Sequence, residues 1–180
     1  LNGKQSNGKY RRYRAHPTKL GNGSQSEGQK PVFVVQGGGR IRNIVMDTPA
    51  ADGIRVVLSK NRPGTTIIEN VDFRDVGEDA ITVKFGNSRS KVIIRNCQFY
   101  GAADKVIQVN SSAQVFVENC YFSRFQRAIR ACGTCGNKSY NIKASNCYAV
   151  NGKTFLKMTN SKARGEITRC TIKNVKYLAK

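Results

Sequence analysis

Lys91-Val92-Ile93-Ile94-Arg95-Asn96-Cys97-Gln98-Phe99 and Gln114-Val115-Phe116-Val117-Glu118-Asn119-Cys120-Tyr121-Phe122 repeat one pattern: a short β-branched and aromatic run, an asparagine, a cysteine and a second short run. The marker recurs as Asn43-Ile44-Val45, Asn70-Val71-Asp72-Phe73 and Asn146-Cys147-Tyr148, and once with arginine in its place, as Arg169-Cys170-Thr171-Ile172. From residue 43 to residue 169 the steps are 27, 26, 23, 27 and 23 residues. Repeats of this length make solenoids, in which each unit buries its apolar face only against its neighbours.

The runs between markers, such as Thr66-Ile67-Ile68-Glu69, have the length and β-branched character of strands, and no stretch sustains a 3.6-residue apolar period. Helical repeats are thereby excluded. Leucine-rich repeats do not suit a chain so poor in Leu, and a propeller blade needs about 40 residues. The fold expected is all-β: one single-domain right-handed parallel β-helix of about seven coils. Residues 31–180 are expected to form it, beginning at the apolar run Pro31-Val32-Phe33-Val34-Val35. Residues 1–30, rich in Gly, Asn and Ser and carrying Lys9-Tyr10-Arg11-Arg12-Tyr13-Arg14, are expected to cap its end. No transmembrane run or signal peptide is visible.

Cys97, Cys120, Cys147 and Cys170 each follow the marker by one place, so they are expected to stack inward, as buried thiols in preference to disulfides between coils. Cys132-Gly133-Thr134-Cys135 reads as a loop disulfide of a secreted protein sooner than half a zinc site, since the single histidine, His16, is far away. The sequons at Asn22, Asn110 and Asn137 are compatible with secretion.

With 31 basic against 11 acidic side chains the net charge is +20, which favours a polyanionic partner: nucleic acid, anionic membrane or acidic polysaccharide. Zinc-finger, helix-turn-helix and RNP motifs are missing, as is a basic amphipathic helix, so neither nucleic acid nor membrane is expected. Register favours the third. Counted from their markers, Asp52 lies at 9, Glu78 and Asp79 at 8 and 9, Asp104 and Lys105 at 8 and 9, and Arg127 at 8. Equivalent positions on successive coils stand about 4.8 Å apart. Three carboxylates thus meet on one ridge, where they repel one another unless protonated or bridged, and hard oxygen donors suit Ca²⁺. Lys105, Arg127 and Arg130 follow along the ridge. A cation site beside a basic cluster can hold a carboxylated sugar and attack the carbon next to its carboxylate.

Four ordered blocks carry a more specific likeness: the stretch from Leu20-Gly21-Asn22-Gly23-Ser24 to Lys30-Pro31-Val32-Phe33, then Pro49-Ala50-Ala51-Asp52-Gly53, Asp75-Val76-Gly77-Glu78-Asp79-Ala80 and Ala103-Asp104-Lys105-Val106-Ile107-Gln108-Val109-Asn110. From about residue 9 to 175 the chain resembles the pectate lyases of polysaccharide lyase family 3. The resemblance implies a secreted, calcium-dependent parallel β-helix that cleaves polygalacturonate by β-elimination. It implies Asp52, Glu78 and Asp79 as calcium ligands, Lys105 as the base and Arg130 as an arginine of the catalytic cleft. Where the family reads Gly-Lys-Leu-Tyr/Val-Arg this chain has Gln126-Arg127-Ala128-Ile129-Arg130, so Arg127 stands for a lysine. Arginine keeps the charge and grips carboxylates bidentately, but cannot release a proton. Phe73-Arg74 stands where the family often has an aromatic and an acid, adding positive charge near the metal site.

The expected mechanism has Lys105, its pKa lowered by neighbouring cations, removing the C5 proton of a calcium-bound galacturonate, with Arg127 and Arg130 stabilising the enediolate. Lys30 and Lys84 are further candidates to line the cleft, and Asp104 either orients Lys105 or forms an unrelated ion pair. A monomer is expected. Two rival functions stay open: a non-catalytic binder of acidic polysaccharide, and a nucleic-acid-binding solenoid favoured by charge alone.

Overall fold

The computed structural model describes residues 3–26 and 28–180 as fourteen strands and no helix; no described helix is therefore long and apolar enough to cross a membrane. The strands are β1 (Gln5–Tyr13), β2 (Phe33–Gln36), β3 (Arg40–Met46), β4 (Ile54–Val57), β5 (Thr65–Phe73), β6 (Asp79–Lys84) and β7 (Lys91–Arg95). They continue as β8 (Gln98–Val109), β9 (Ala113–Glu118), β10 (Tyr121–Ala131), β11 (Tyr140–Ser145), β12 (Tyr148–Met158), β13 (Ala163–Thr168) and β14 (Thr171–Ala179). Every pairing is parallel and joins a coil to the next, so the chain is a parallel β-solenoid.

Three ladders run along the axis. The first joins β1, β3, β5, β7, β9, β11 and β13. The second joins β1, β3, β5, β8, β10, β12 and β14, and the third joins β2, β4 and β6 to the later halves of β8, β10, β12 and β14. Strand side chains alternate between faces, so one register position becomes one column. The inward columns are uniform: Ile41, Ile68, Ile94, Val117 and Ala144 on the first ladder, and Ile54, Ile81, Ile107, Ile129 and Leu156 on the third, all fully or nearly fully buried. On the second, Phe73, Phe99 and Phe122 stack with ring centroids 4.9 and 5.0 Å apart. Offset stacking adds about 0.5–1.5 kcal/mol per pair to the area buried.

The marker residues are the corner between the first and second ladders. Asn43, Asn70, Asn96, Asn119 and Asn146 have φ of 53 to 56°, and Arg169 has φ 50°. A single left-handed residue turns the chain from one ladder to the next, and asparagine tolerates that conformation better than other side chains with a Cβ. Their amides also pair between coils: Asn43 donates to Asn7 and Asn70 to Asn43, each at 3.0 Å, and Arg169 Nε donates to Asn146 Oδ1 at 2.9 Å. One place on, Cys97, Cys120 and Cys147 are buried free thiols and Cys170 is half-buried. Each thiol can donate to the carbonyl two residues before it, at 3.3 to 3.4 Å, or to a carbonyl of the preceding coil, at 3.6 to 3.9 Å. Cys132 and Cys135 form a disulfide.

Residues 1–30 differ from the rest less than their composition suggests. Gln5–Tyr13 is polar, yet forms the terminal rung because the edge of β3 offers it unpaired backbone groups. Its outer face is largely exposed, so that end of the ladder presents a polar rung. The segment after it lies along the side of the solenoid: Ala15 N donates to Pro49 O, and Gln25 Nε2 donates to Gly77 O at 2.6 Å. Leu1, Asn2 and Glu27 of that segment lie outside the described residues.

Candidate functional site

Asp52 precedes β4, Glu78 immediately precedes β6, Asp79 opens it, Lys105 lies in β8, and Arg127 and Arg130 lie in β10. Ile54 pairs with Ile81, which sets Asp52 beside Asp79, two residues earlier on each strand. Asp79 pairs with Lys105 and Lys105 with Arg127. Arg127 sits one place closer to its marker than Lys105 does because the β8–β10 register shifts between Phe125 and Arg127. That bulge holds the extra residue in Ala103-Asp104, and bulges re-aim side chains. The loops carrying the acids touch backbone to backbone. A Cβ on Gly53 would lie 2.2 Å from Ala80 O, and one on Gly77 would lie 2.2 Å from Ala51 O, so glycine is what lets the carboxylates approach.

A cavity of about 290 Å³ opens over this ridge, lined by Asp52, Glu78, Asp79, Lys84, Lys105 and Arg130. Asp104 and Arg127 do not line it and are paired with each other. Lys30 is exposed and lines an adjoining groove, while its neighbours Gly28 and Gln29 line the cavity. Four further lining residues, Arg55, Thr82, Gln108 and Asn110, are not among the site residues expected from the sequence, where Asn110 stands only as a sequon. A signal for three of them existed: Arg55, Thr82 and Gln108 each follow the ridge residue by three places, as Arg130 follows Arg127, and they form one column. The Cys132–Cys135 disulfide walls the far side.

Asp52 Oδ2 accepts from Arg55 Nη2 at 2.7 Å, and Asp79 Oδ2 accepts from Thr82 Oγ1 at 3.1 Å. The other oxygen of each carboxylate is buried with no hydrogen-bond partner. Burial, opposed by the Lys105 charge and reinforced by Glu78, pushes Asp79 up to about 7. Burial and then the Glu78 carboxyl raise Asp52 as well, against the pull of Arg55. The Lys105 ammonium is 2.6 Å from Asp104 Oδ2, 3.0 Å from Glu78 Oε1 and 3.5 Å from Asp79 Oδ1. Burial alone depresses its pKa, but Asp104, Asp79 and Glu78 outweigh burial and hold it above the ordinary lysine value. The expectation that neighbouring cations lower it is therefore corrected: carboxylates, not cations, are its immediate neighbours. Asp104 both holds Lys105 and pairs with Arg127, so it joins the two alternatives considered for it. Arg130 Nη1 reaches Gln108 Oε1 at 3.4 Å and otherwise faces the cavity.

Among the described residues no three His, Cys, Asp or Glu side chains converge as a closed metal cluster; the Lys105 ammonium bridges Glu78 and Asp79 instead. The donor chemistry nevertheless fits a hard cation. Neither Asp52 Oδ1 nor Asp79 Oδ1 accepts a hydrogen bond, Asp79 Oδ1 having only the 3.5 Å ion pair to Lys105, and the acids are held where ionising them together is costly.

Comparison with known proteins identifies the family. The chain is 37% identical over 145 residues to a protein named probable pectate lyase E of Aspergillus clavatus, covering 76% of this chain and 54% of that one. It is 36% identical over 124 residues to the probable pectate lyase G of Emericella nidulans, covering 69% and 45%. The chain thus spans about half the length of the curated relatives it matches. Among solved structures, the tailspike protein gp49 of Acinetobacter baumannii bacteriophage Fri1, a capsular polysaccharide depolymerase, superposes with a TM-score of 0.56 at 14% identity, covering 83% of this chain and 31% of the tailspike, a likeness of fold alone. The pectate lyase family profile matches residues 1–179, and on that match, together with the identities to its relatives, the chain belongs to the pectate lyase family.

Proposed function

We propose that this chain is a secreted, monomeric pectate lyase that cleaves polygalacturonate by calcium-assisted β-elimination, releasing 4,5-unsaturated oligogalacturonides. The observation that carries the reading is the juxtaposition in one cavity of Asp52, Glu78 and Asp79, with two buried oxygens lacking hydrogen-bond partners, and the cations Lys105 and Arg130. An extracellular setting suits the Cys132–Cys135 disulfide.

Asp52, Glu78 and Asp79 would hold Ca²⁺, which when bound supplies a Lewis acid for the galacturonate carboxylate, making the C5 proton more acidic. Lys105 takes that proton, and must be a neutral amine to do so. Glu78 and Asp79 are also two of the three carboxylates that hold it as an ammonium, so drawing them away frees the base. Asp104 keeps Lys105 aimed and, through its pairing with Arg127, fixes the guanidinium behind it. Arg130 stabilises the charge that develops on the substrate carboxylate as C5 is deprotonated. The C4–O4 bond then breaks, the electron pair from C5 forms the 4,5 double bond, and O4 leaves as an alkoxide that takes a proton from water. Lys84 offers a further cation to a neighbouring uronate.

Incubating the protein with polygalacturonate and Ca²⁺ while following the ultraviolet absorbance of the conjugated product tests this directly; a flat trace on pectic substrates overturns it. One observation favours a second reading, a non-catalytic binder of acidic polysaccharide: Lys105 is held protonated by its three carboxylates, which suits binding better than proton abstraction. Binding without product would select it.

A further inference from the structure

Beyond the cavity the solenoid continues for two coils whose second and third ladders carry charge of one sign. β10, β12 and β14 carry seven lysines and arginines and no Asp or Glu. The acids that follow Asp104 in sequence, Glu118 and Glu166, lie on β9 and β13 of the first ladder, where Glu166 pairs with Lys143 at 2.7 Å. On the third ladder Arg130 pairs in register with Lys157. Lys180 donates its N–H to Leu156 O and accepts from Met158 N, which sets it opposite Lys157 in turn. The column Arg55, Thr82, Gln108, Arg130 of the cavity is therefore prolonged by Lys157 and Lys180, one cation per rung. Lys153 stands beside this column next to Thr154, the register partner of Arg127. Among the described residues none of Arg130, Lys153, Lys157 and Lys180 forms an ion pair with an acid. Burial first, and then the charges of Arg127, Lys180, Arg130 and Lys153, lower the pKa of Lys157, as expected where cations face one another without counter-ions.

We propose that Lys153, Lys157 and Lys180 form a binding track for the carboxylates of a polyuronate chain, continuing from Arg130 toward the C-terminal end of the solenoid. It rests on the polygalacturonate reading above and adds to it a direction and a length. Rungs repeat about every 4.8 Å, comparable to the advance per sugar of an extended 1,4-linked chain, so the carboxylates on the facing side of such a chain fall within reach of cations along the track. A duplex nucleic acid, with its charge spread over a wide cylinder, does not match a single file of cations on one ladder.

The test is binding, measured by calorimetry with chelator present so that no turnover occurs, using octagalacturonate, trigalacturonate and a single-stranded DNA of the same charge as the octamer. The double variant Lys153→Gln/Lys157→Gln is expected to weaken octagalacturonate about tenfold, the sum of two exposed ion pairs, while trigalacturonate changes less than about twofold. Unchanged thermal unfolding of the variant shows that the loss is not one of folding. Equal losses for both lengths, no loss for the octamer, or wild-type DNA binding as tight as octamer binding each overturns the track. A wild type that binds the octamer in this length-dependent way but yields no unsaturated product with Ca²⁺ keeps the track and loses the lyase reading, so the two failures are separable.

Discussion

Raising the pH of the metal-free protein should destabilise it, and Asp79 should be the cause. Its pKa is about 7 in the fold against an ordinary 3.8. Between those values the folded protein keeps a proton that the unfolded chain has released, so stability is full below pH 3.8 and is lost as pH rises to about 7. This is the reverse of the usual aspartate, whose pKa falls on folding. Each pH unit in that window is worth about 1.36 kcal/mol, so moving from pH 5 to pH 8 removes about 3 kcal/mol. For a domain of this size that lowers Tm by roughly 6–12 °C. Few other groups confuse the measurement. The chain has one histidine, Asp52 is displaced in the same direction, and the raised Lys105 keeps its contribution throughout, since that is lost only above the ordinary lysine range. Glu69, which burial raises but Arg95 and Arg40 together hold below its ordinary value, gives stability that disappears only on acidification. The assay is thermal unfolding in chelator at pH 5 and pH 8, for the wild type and Asp79→Asn, and again with Ca²⁺. Asp79→Asn should flatten the dependence, and Ca²⁺ should stabilise the wild type more at pH 8 than at pH 5, because a cation prefers the ionised carboxylate. Equal Tm values at both pH values for the chelated wild type, or an undiminished slope in Asp79→Asn, would refute the reasoning.

Lys105→Ala should cut turnover by about 10²- to 10⁴-fold while polygalacturonate binding, measured by calorimetry, stays largely intact; wild-type turnover in this variant places the base elsewhere. Arg127→Lys should hold or raise kcat, since the charge is kept and Asp104 remains its partner, and a kcat lowered tenfold or more contradicts the role given to that pair. Phe122→Ala removes a ring stacked on Phe99 and edge-on to Phe125 and Phe155, and should cost about 3–5 kcal/mol in urea unfolding. Gly77→Ala must push apart loops whose backbones touch, so calcium affinity by titration should fall while the far-ultraviolet spectrum stays that of the wild type.

The repeat was legible because each coil spends one residue on a left-handed corner and the next on a small inward side chain, and Asn-Cys is a conspicuous way to write both. Counting from that corner was enough to stack Asp52, Asp79 and Lys105. It was not enough for β1, whose strand is imposed by the edge of β3 and not by its own polar sequence. The bulge at Ala103-Asp104 was hidden for a similar reason: an inserted residue changes the count without changing the pattern, and only pairing shows which strand carries it. The raised pKa of Lys105 depends on side-chain directions that spacing leaves open, since the same positions could have set Arg127 against it instead of Asp104 and Glu78. Arg55, Thr82 and Gln108 belong to a column whose residue types differ at each rung, so no repeated letter marks it.

The thiol column also gives the protein an internal gauge of its own unravelling. Cys97, Cys120, Cys147 and Cys170 sit on four consecutive coils, and only the last is half-open to solvent. Because each coil leans on its neighbours alone, a solenoid can come apart from an end. An alkylating reagent applied under mild denaturant would then mark Cys170 first, Cys147 next and Cys97 last, and the mass of each labelled species would state how many coils had peeled away. A molecule that instead took up all four labels at once would be opening as a single block.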